Sequence, residues 1–233
     1  PALVGGSPLE TLAGLVSGQL DPARVDFGAA VGDEMVRLLE PLGSYPRNLF
    51  CIGKNYREHA AEFSASGYDA SADGGSDVQP THPVVFTKPA SAVIGPGELI
   101  ERHAGLTAEL DYEAELGVVI GRTASNIGEA DALSVIAGYA IALDMVVRGP
   151  EDRSLRKSGD SYAVLGPWLV TADEVADPQA PDFLLNVNGA PRQASNTGRM
   201  IMTIAEQIAY ASRFYTLHPG DIVMTGTCEG VGP

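Results

Sequence analysis

The run Leu110-Asp111-Tyr112-Glu113-Ala114-Glu115-Leu116 alternates apolar and acidic residues before passing into Gly117-Val118-Val119-Ile120. Side chains alternate across a strand, so the pattern predicts one strand with Leu110, Tyr112, Ala114 and Leu116 on a core face and Asp111, Glu113 and Glu115 opposite. A second strand-like run, 137–148, is apolar except at Asp144 and Arg148. Shorter apolar runs predict strands at Leu49–Gly53, Pro83–Pro89 and Ile222–Met224, and Phe183–Val187 followed by Asn188-Gly189 signals a hairpin.

Helical signals are fewer. Ser7-Pro8-Leu9-Glu10 is a capping box before the stripe Leu9, Leu12, Val16, which Gly18 ends, and Thr203-Ile204-Ala205-Glu206 opens a helix with Ile204, Ile208 and Ala211 inward. Lys54–Phe63 reads as a third helix. Ile94-Gly95-Pro96-Gly97 and Gly166-Pro167-Trp168 mark turns, and the linker-like residues 41–48 separate a small N-terminal appendage, 1–46, from the remainder, 47–233. Residues 64–82 are polar, glycine-rich and aperiodic, which predicts a long loop, and their place after the Lys54–Phe63 helix suits a lid.

Chemistry enters where acid meets apolar sequence. Three carboxylates in a row repel one another unless water bathes them or a cation neutralises them. Asp144, in an apolar run, needs a partner as well: either Arg148 as a salt bridge, or a cation shared with Glu113 and Glu115. Such an all-oxygen set suits Mg²⁺, Mn²⁺ or Ca²⁺ rather than zinc. His59 and Glu62 lie one helical turn apart, the least apparatus for a general base, although such pairs are also common on ordinary helix surfaces. Arg153, Arg156 and Lys157 form a basic patch, with Lys157 expected on a loop. The segment Thr225-Gly226-Thr227-Cys228-Glu229-Gly230 can offer backbone N–H groups to an anion but lacks the lysine and spacing of a P-loop.

Composition sets bounds. A chain of 233 residues can bury a full core as one domain with an appendage. Its formal net charge of −15 argues against a nucleic-acid or anionic-membrane surface, so an anionic substrate must be met by locally placed cations. Two cysteines without CxxC spacing do not make a disulfide scaffold, and a reducing cytoplasm is expected. No apolar run reaches a membrane span and no basic-then-apolar signal opens the chain. The chain opens without a methionine and closes on Val231-Gly232-Pro233, so a fragment of a longer protein is expected.

The motifs together resemble the fumarylacetoacetate hydrolase family: Cys51-Ile52-Gly53-Lys54-Asn55-Tyr56 with His59 and Glu62, Asp111-Tyr112-Glu113-Ala114-Glu115-Leu116, Leu143-Asp144 with Arg148, Lys157-Ser158-Gly159-Asp160, Gly166-Pro167-Trp168 and Thr225-Gly226-Thr227, in that order from about Leu49 to Pro233. The resemblance implies an α+β, predominantly β fold, a mixed β-sandwich or rolled sheet, and a family domain that continues past Pro233. It implies a homodimer acting on a small 2-oxo or diketo acid, with Mg²⁺ held by Glu113, Glu115 and Asp144. His59 and Glu62 become the water-activating dyad, Lys157 a substrate or oxyanion partner, and Arg148 and Thr227 substrate-side residues. The implied activity is hydrolysis of a carbon–carbon bond in a β-diketo acid such as an acylpyruvate. Decarboxylases and keto–enol isomerases share these motifs, and a non-catalytic cation-binding module is the contrasting reading. The sequence departs from the family at Gly159, where an aromatic is common, at Cys228, where proline is common, and at Glu151, where several members carry glutamine.

Overall fold

The computed structural model describes residues 40–42, 45, 47–65, 82–105, 107 and 109–232. The Ser7 capping box lies outside them, as do most of the 1–46 appendage and nearly all of the segment expected to be a lid.

A mixed sheet organises the described chain. Its strands are β1 (Leu49–Gly53), β2 (Val84–Lys88), β3 (Val93–Ile94), β5 (Ala114–Ile120), β6 (Ile136–Asp144), β8 (Ala163–Leu165), β9 (Val170–Thr171) and β12 (Ile222–Met224). Their order is β2-β1-β12-β5-β6-β8-β3, with β9 also paired to β6. β12 runs parallel to β1 and antiparallel to β5, and β5 and β6 form the longest antiparallel ladder. Two short pairs stand apart: β4 (Leu110–Asp111) with β7 (Val146–Val147), and β10 (Asp182–Val187) with β11 (Ala190–Asn196). Asn188 and Gly189 both take positive φ, as the two-residue hairpin signal demands.

Both faces of the central strands are buried, so the acidic face of β5 is not bathed in water. Phe50, Ile52, Val118, Ile120 and Val223 join one apolar cluster, while their neighbours Leu49, Cys51, Val119, Ile222 and Met224 join another. Helix packing covers the first face. Of the four α-helices among the described residues, α1 (Arg57–Ala65), α2 (Glu129–Ala132), α3 (Arg153–Lys157) and α4 (Ile204–Phe214), the last presents Ile204, Ile208 and Ala211 to the core, as the stripe predicts. Its capping box forms in full, with Thr203 and Glu206 satisfying each other's backbone N–H groups, a device that stabilises by about 1 kcal/mol. Gly138 allows β9 to approach β6, since a Cβ there would stand 2.2 Å from the Val170 carbonyl oxygen.

The two acidic stretches break at the same place. Asp111 opposes Val146 and Ala114 opposes Leu143, so a single antiparallel ribbon opens at residues 112–113 and 144–145 and then resumes. Across the gap the Asp144 N–H donates to the Glu113 carbonyl at 2.8 Å. The expected continuous strand is therefore two, and Glu113 and Asp144 face each other at the break.

Candidate active site

Interruption of the ribbon gathers three carboxylates. Oxygens of Glu113, Glu115 and Asp144 lie within 4.8 Å of one another, and all three residues are buried. Such a group would repel itself apart without cations, and two lysines supply them. Lys157 Nζ donates to Glu113 Oε2 and Asp144 Oδ2, both at 2.7 Å, and Lys88 Nζ donates to Asp144 Oδ1 at 2.6 Å and to the Met145 carbonyl at 2.9 Å. Lys157 sits at the C-terminal turn of α3, buried, rather than on the solvated loop its sequence suggested.

Arg148 does not take Asp144, the partner that one of the two sequence readings gave it. Its Nε donates to Asp111 Oδ2 and a terminal nitrogen donates to Glu113 Oε1 at 3.2 Å, so the Asp144–Arg148 bridge does not form. Asp111 thus leaves the acidic row and anchors Arg148 from β4. The Arg148 guanidinium also stacks 5.3 Å from the centre of the Phe63 ring on α1.

Glu115 is the carboxylate with no ammonium or guanidinium ion pair among the described residues. The Gly226 N–H donates to its Oε2 at 2.8 Å. That contact requires the chain to turn tightly: Gly226 has φ +96°, and a Cβ there would lie 2.7 Å from the Asn55 side chain. The loop from Thr225 thus donates to an anion as its composition suggested, the anion being the protein's own carboxylate. Burial, with Asp144 and Glu113 close by, raises the Glu115 carboxyl well above its ordinary value. Glu113 goes the other way: burial pushes it up, but Lys157, His59 and Arg148 together outweigh this and hold it at about 2. For Lys157 burial opposes the charged form, and Asp144 and Glu113 overcome it, so the ammonium persists to high pH.

Three buried carboxylates, one of them without an ion-pair partner among the described residues, fit a hard divalent cation. The group contains no thiolate or imidazole that would favour zinc.

The facing wall of the same cleft comes from β1 and α1. α1 starts at Arg57, three residues later than expected, because Lys54 takes φ 55° and the buried Asn55 side chain binds the Met202 and Thr225 carbonyls. His59 lines the cleft with Phe63, Lys54, Phe86, Arg148 and Lys157. Its ring is buried, with Nδ1 3.7 Å from Glu62 Oε2 and no hydrogen-bond partner. Glu62 is fixed in turn by the Gly230 N–H at 3.2 Å. Thr227 also lines the cleft, but its hydroxyl is engaged, donating to the Ala114 carbonyl at 2.8 Å and accepting from Gln193 Nε2 at 2.8 Å.

Residues 48–233 match the fumarylacetoacetate (FAA) hydrolase C-terminal family. The chain belongs to the fumarylacetoacetate hydrolase family. Maleylpyruvate hydrolase of Aquipseudomonas alcaligenes is 43% identical over 201 residues, a match covering 85% of this chain and 68% of that protein. Oxaloacetate tautomerase YisK of Bacillus subtilis is 38% identical over 201 residues, covering 84% of this chain and 64% of its own. The chain thus spans about two thirds of the length of these fumarylacetoacetate hydrolase relatives. A crystal structure of maleylpyruvate hydrolase from Sphingobium sp. SYK-6 in complex with manganese(II) ion and pyruvate superposes with a TM-score of 0.75 at 36% identity, covering 96% of this chain and 74% of that one.

Several site residues carried no clear sequence signal. Lys88 ends an apolar strand before a proline, and nothing in the pattern ties it to Asp144. Gln193 sits on β11 yet closes the site from behind, accepting from the Ala114 N–H at 2.9 Å while donating to Thr227 and to the Cys228 carbonyl. The aromatic missing at Gly159 is made up from three residues on, since a Cβ on Gly159 would stand 2.8 Å from the Tyr162 ring.

Proposed function

We propose that the chain is a divalent-metal-dependent hydrolase that cleaves a carbon–carbon bond in a β-diketo acid of the acylpyruvate class. The observation that carries this is the meeting of the Glu113, Glu115 and Asp144 oxygens within 4.8 Å on one wall of a cleft that also holds His59. A cation held by those three carboxylates would polarise the 2-oxo acid oxygens of the substrate and stabilise the enolate that leaves.

The protein's own groups do the rest. His59, oriented by Glu62, takes a proton from water, and the resulting hydroxide adds to the distal carbonyl carbon. The 3.7 Å separation of the dyad is long for a hydrogen bond, and such contacts commonly tighten only when substrate is bound. Lys157, charged and buried, stabilises the oxyanion formed by that addition. Collapse of the oxyanion breaks the bond to the pyruvate methylene, whose carbon takes the electron pair as an enolate. Return of the proton from His59 then gives pyruvate and a carboxylic acid. Arg148, held by Asp111 and Glu113, and Thr227 bound the substrate side.

Mg²⁺ is the proposed ion, with Mn²⁺ or Ca²⁺ able to use the same oxygen donors; the manganese(II) bound by the Sphingobium relative supports a divalent cation. The proposed catalytic domain is 47–233, working as a homodimer in a reducing cytoplasm. The two free, buried cysteines are consistent with that compartment, and the exposed apolar residues Ile141 and Trp168 supply surface for a second copy.

The tautomerase relative favours one second reading, keto–enol isomerisation of a 2-oxo acid, which needs the enolate but no attacking water. Incubating the Mg²⁺-loaded protein with acylpyruvates and with oxaloacetate separates the two. Release of pyruvate from acylpyruvates is expected; enol–keto interconversion without pyruvate would overturn hydrolysis.

A further inference from the structure

The cleft contains more positive charge than its carboxylates use. Lys88, Lys157 and Arg148 each form an ion pair with Asp111, Glu113 or Asp144. Arg153 and Arg156 line the same cleft, and neither has a carboxylate within ion-pair distance among the described residues. In a chain of net charge −15, two guanidinium groups on one short helix, neither in an ion pair among the described residues, are unexpected on composition alone.

Their placement is specific. Arg156 is only 4% exposed, and its side chain makes one hydrogen bond, from Nε to the Glu151 carbonyl at 2.9 Å. The terminal nitrogens are left over. Those donors open onto the cleft, where an anion that enters can take them up. Burial, with Arg148 and Arg153 nearby, lowers the proton affinity of Arg156, although Glu113 and Asp152 act the other way. Arg153 rests against the Phe86 ring at 5.6 Å from its centre, and Lys157 approaches the same ring at 5.2 Å. Since Lys157 bridges Glu113 and Asp144, Phe86 links Arg153 to the carboxylate group. Both arginines come from α3, whose first turn is fixed by the Asp152 side chain accepting from the Ser154 N–H.

We infer that Arg153 and Arg156 bind a second carboxylate on the substrate, at the end of the acyl chain, so that the preferred acylpyruvates are dicarboxylic. The inference rests on the hydrolase reading for where the first carboxylate goes. Guanidinium groups suit this task because their paired donors match a carboxylate's two oxygens.

Two experiments test it on the Mg²⁺-loaded protein. The first measures binding calorimetrically for 2-oxoheptanedioate and 2-oxoheptanoate, which share a 2-oxo acid head, lack the distal carbonyl that hydrolysis requires and differ only in the terminal carboxylate. The dicarboxylate should bind roughly 10- to 100-fold more tightly, the range for a charge-assisted contact. Arg153→Met, which keeps packing on Phe86, should erase most of that difference, and Arg153→Lys should restore part of it. Arg156→Gln should act in the same direction, and because Arg153 is the less buried of the two, its variants keep the test decisive if Arg156→Gln fails to fold. Equal binding of the two ligands to the unaltered protein, or an undiminished difference in Arg153→Met, would overturn the assignment.

The second compares kcat/KM for maleylpyruvate and acetylpyruvate. Arg153→Met should lower the ratio between them by at least about tenfold, chiefly through KM for the dicarboxylate. An equal loss on both substrates would reduce Arg153 to a structural residue. A protein that hydrolyses neither substrate yet keeps the binding preference would overturn the hydrolase reading and leave the arginine site standing.

Discussion

Lys88 and Asp144, 56 residues apart, meet through a 2.6 Å hydrogen bond with neither exposed to solvent. Asp144 is the last residue of β6, and Lys88 the last of β2 at the sheet's edge, so the bond ties the sheet's margin to its centre. Removing one member of a buried pair costs about 3–5 kcal/mol when it strands the other charge, and because Lys157 still holds the other oxygen of Asp144 the lower end of that range applies. Lys88→Met should therefore destabilise the metal-free protein by roughly that amount in denaturant unfolding. Bound Mg²⁺ should restore part of the loss by supplying the missing positive charge. A variant with wild-type stability in chelator would show that Lys88 is not needed to hold Asp144.

Glu115 gives the site a pH dependence with a definite sign. Its carboxyl is raised above the ordinary 4.5 by burial and by Asp144 and Glu113, so the metal-free fold is penalised increasingly as pH climbs from 4.5 through the raised value. Glu113, held at about 2, contributes stability that is complete above 4.5 and is lost as pH falls from there toward 2. A divalent cation that displaces the Glu115 proton removes the first penalty. The gain in Tm with Mg²⁺ should thus grow with pH above 4.5, and binding at a pH between 4.5 and the raised value should release protons, seen as a buffer-dependent calorimetric enthalpy. Glu115→Gln should lose most of the thermal gain. A shift of equal size in that variant would remove Glu115 from the ligand set.

His59→Ala should keep fold and metal affinity while slowing acylpyruvate hydrolysis by roughly 10²–10⁴-fold, the contribution of a positioned base. Glu62→Ala should also be slow, and the double variant little worse than the slower single one, because the pair acts as a unit. Hydrolysis at the unaltered rate in His59→Ala under saturating Mg²⁺ would move the base elsewhere.

Gln193 stitches three backbone segments behind the carboxylates while only 1% exposed. Gln193→Ala would leave the Ala114 N–H and the Cys228 carbonyl without their partner, each costing about 1–3 kcal/mol. A loss of about 3 kcal/mol in unfolding free energy is expected, and one below about 0.5 kcal/mol would mean that water replaces the amide.

Local signals carried much of this molecule into the sequence. The Asn188-Gly189 hairpin and the Thr203–Glu206 capping box are short-range devices whose chemistry resides in the residues themselves, and both form as predicted. The gathering of Glu113, Glu115 and Asp144 was legible because isolated acids in apolar strands demand partners. What stayed hidden depends on long-range pairing. Arg148 is four residues from Asp144 yet binds Asp111, because the ribbon opens between β6 and β7, and a period-two pattern has no way to record a break that keeps its register. The burial of Lys157 and Arg156 likewise follows from where α3 packs, which a five-residue, mostly polar segment does not disclose.

The parallel pairing of β12 with β1 orders the events of folding. Cys51 and Met224 are in contact although 173 residues separate them, so the entropy of closing a very long loop must be lost before that pairing can reward it. The ribbon of β5 and β6 is local by comparison and can form first, bringing Glu113, Glu115 and Asp144 together while α1, with His59, is still unattached. During refolding the chain should therefore bind a cation before it can turn over substrate, which stopped-flow refolding with Mn²⁺ as a fluorescence quencher, set against recovery of activity, would resolve. The cation then acts as an early staple, favouring the half of the fold that carries it while the other half is still searching.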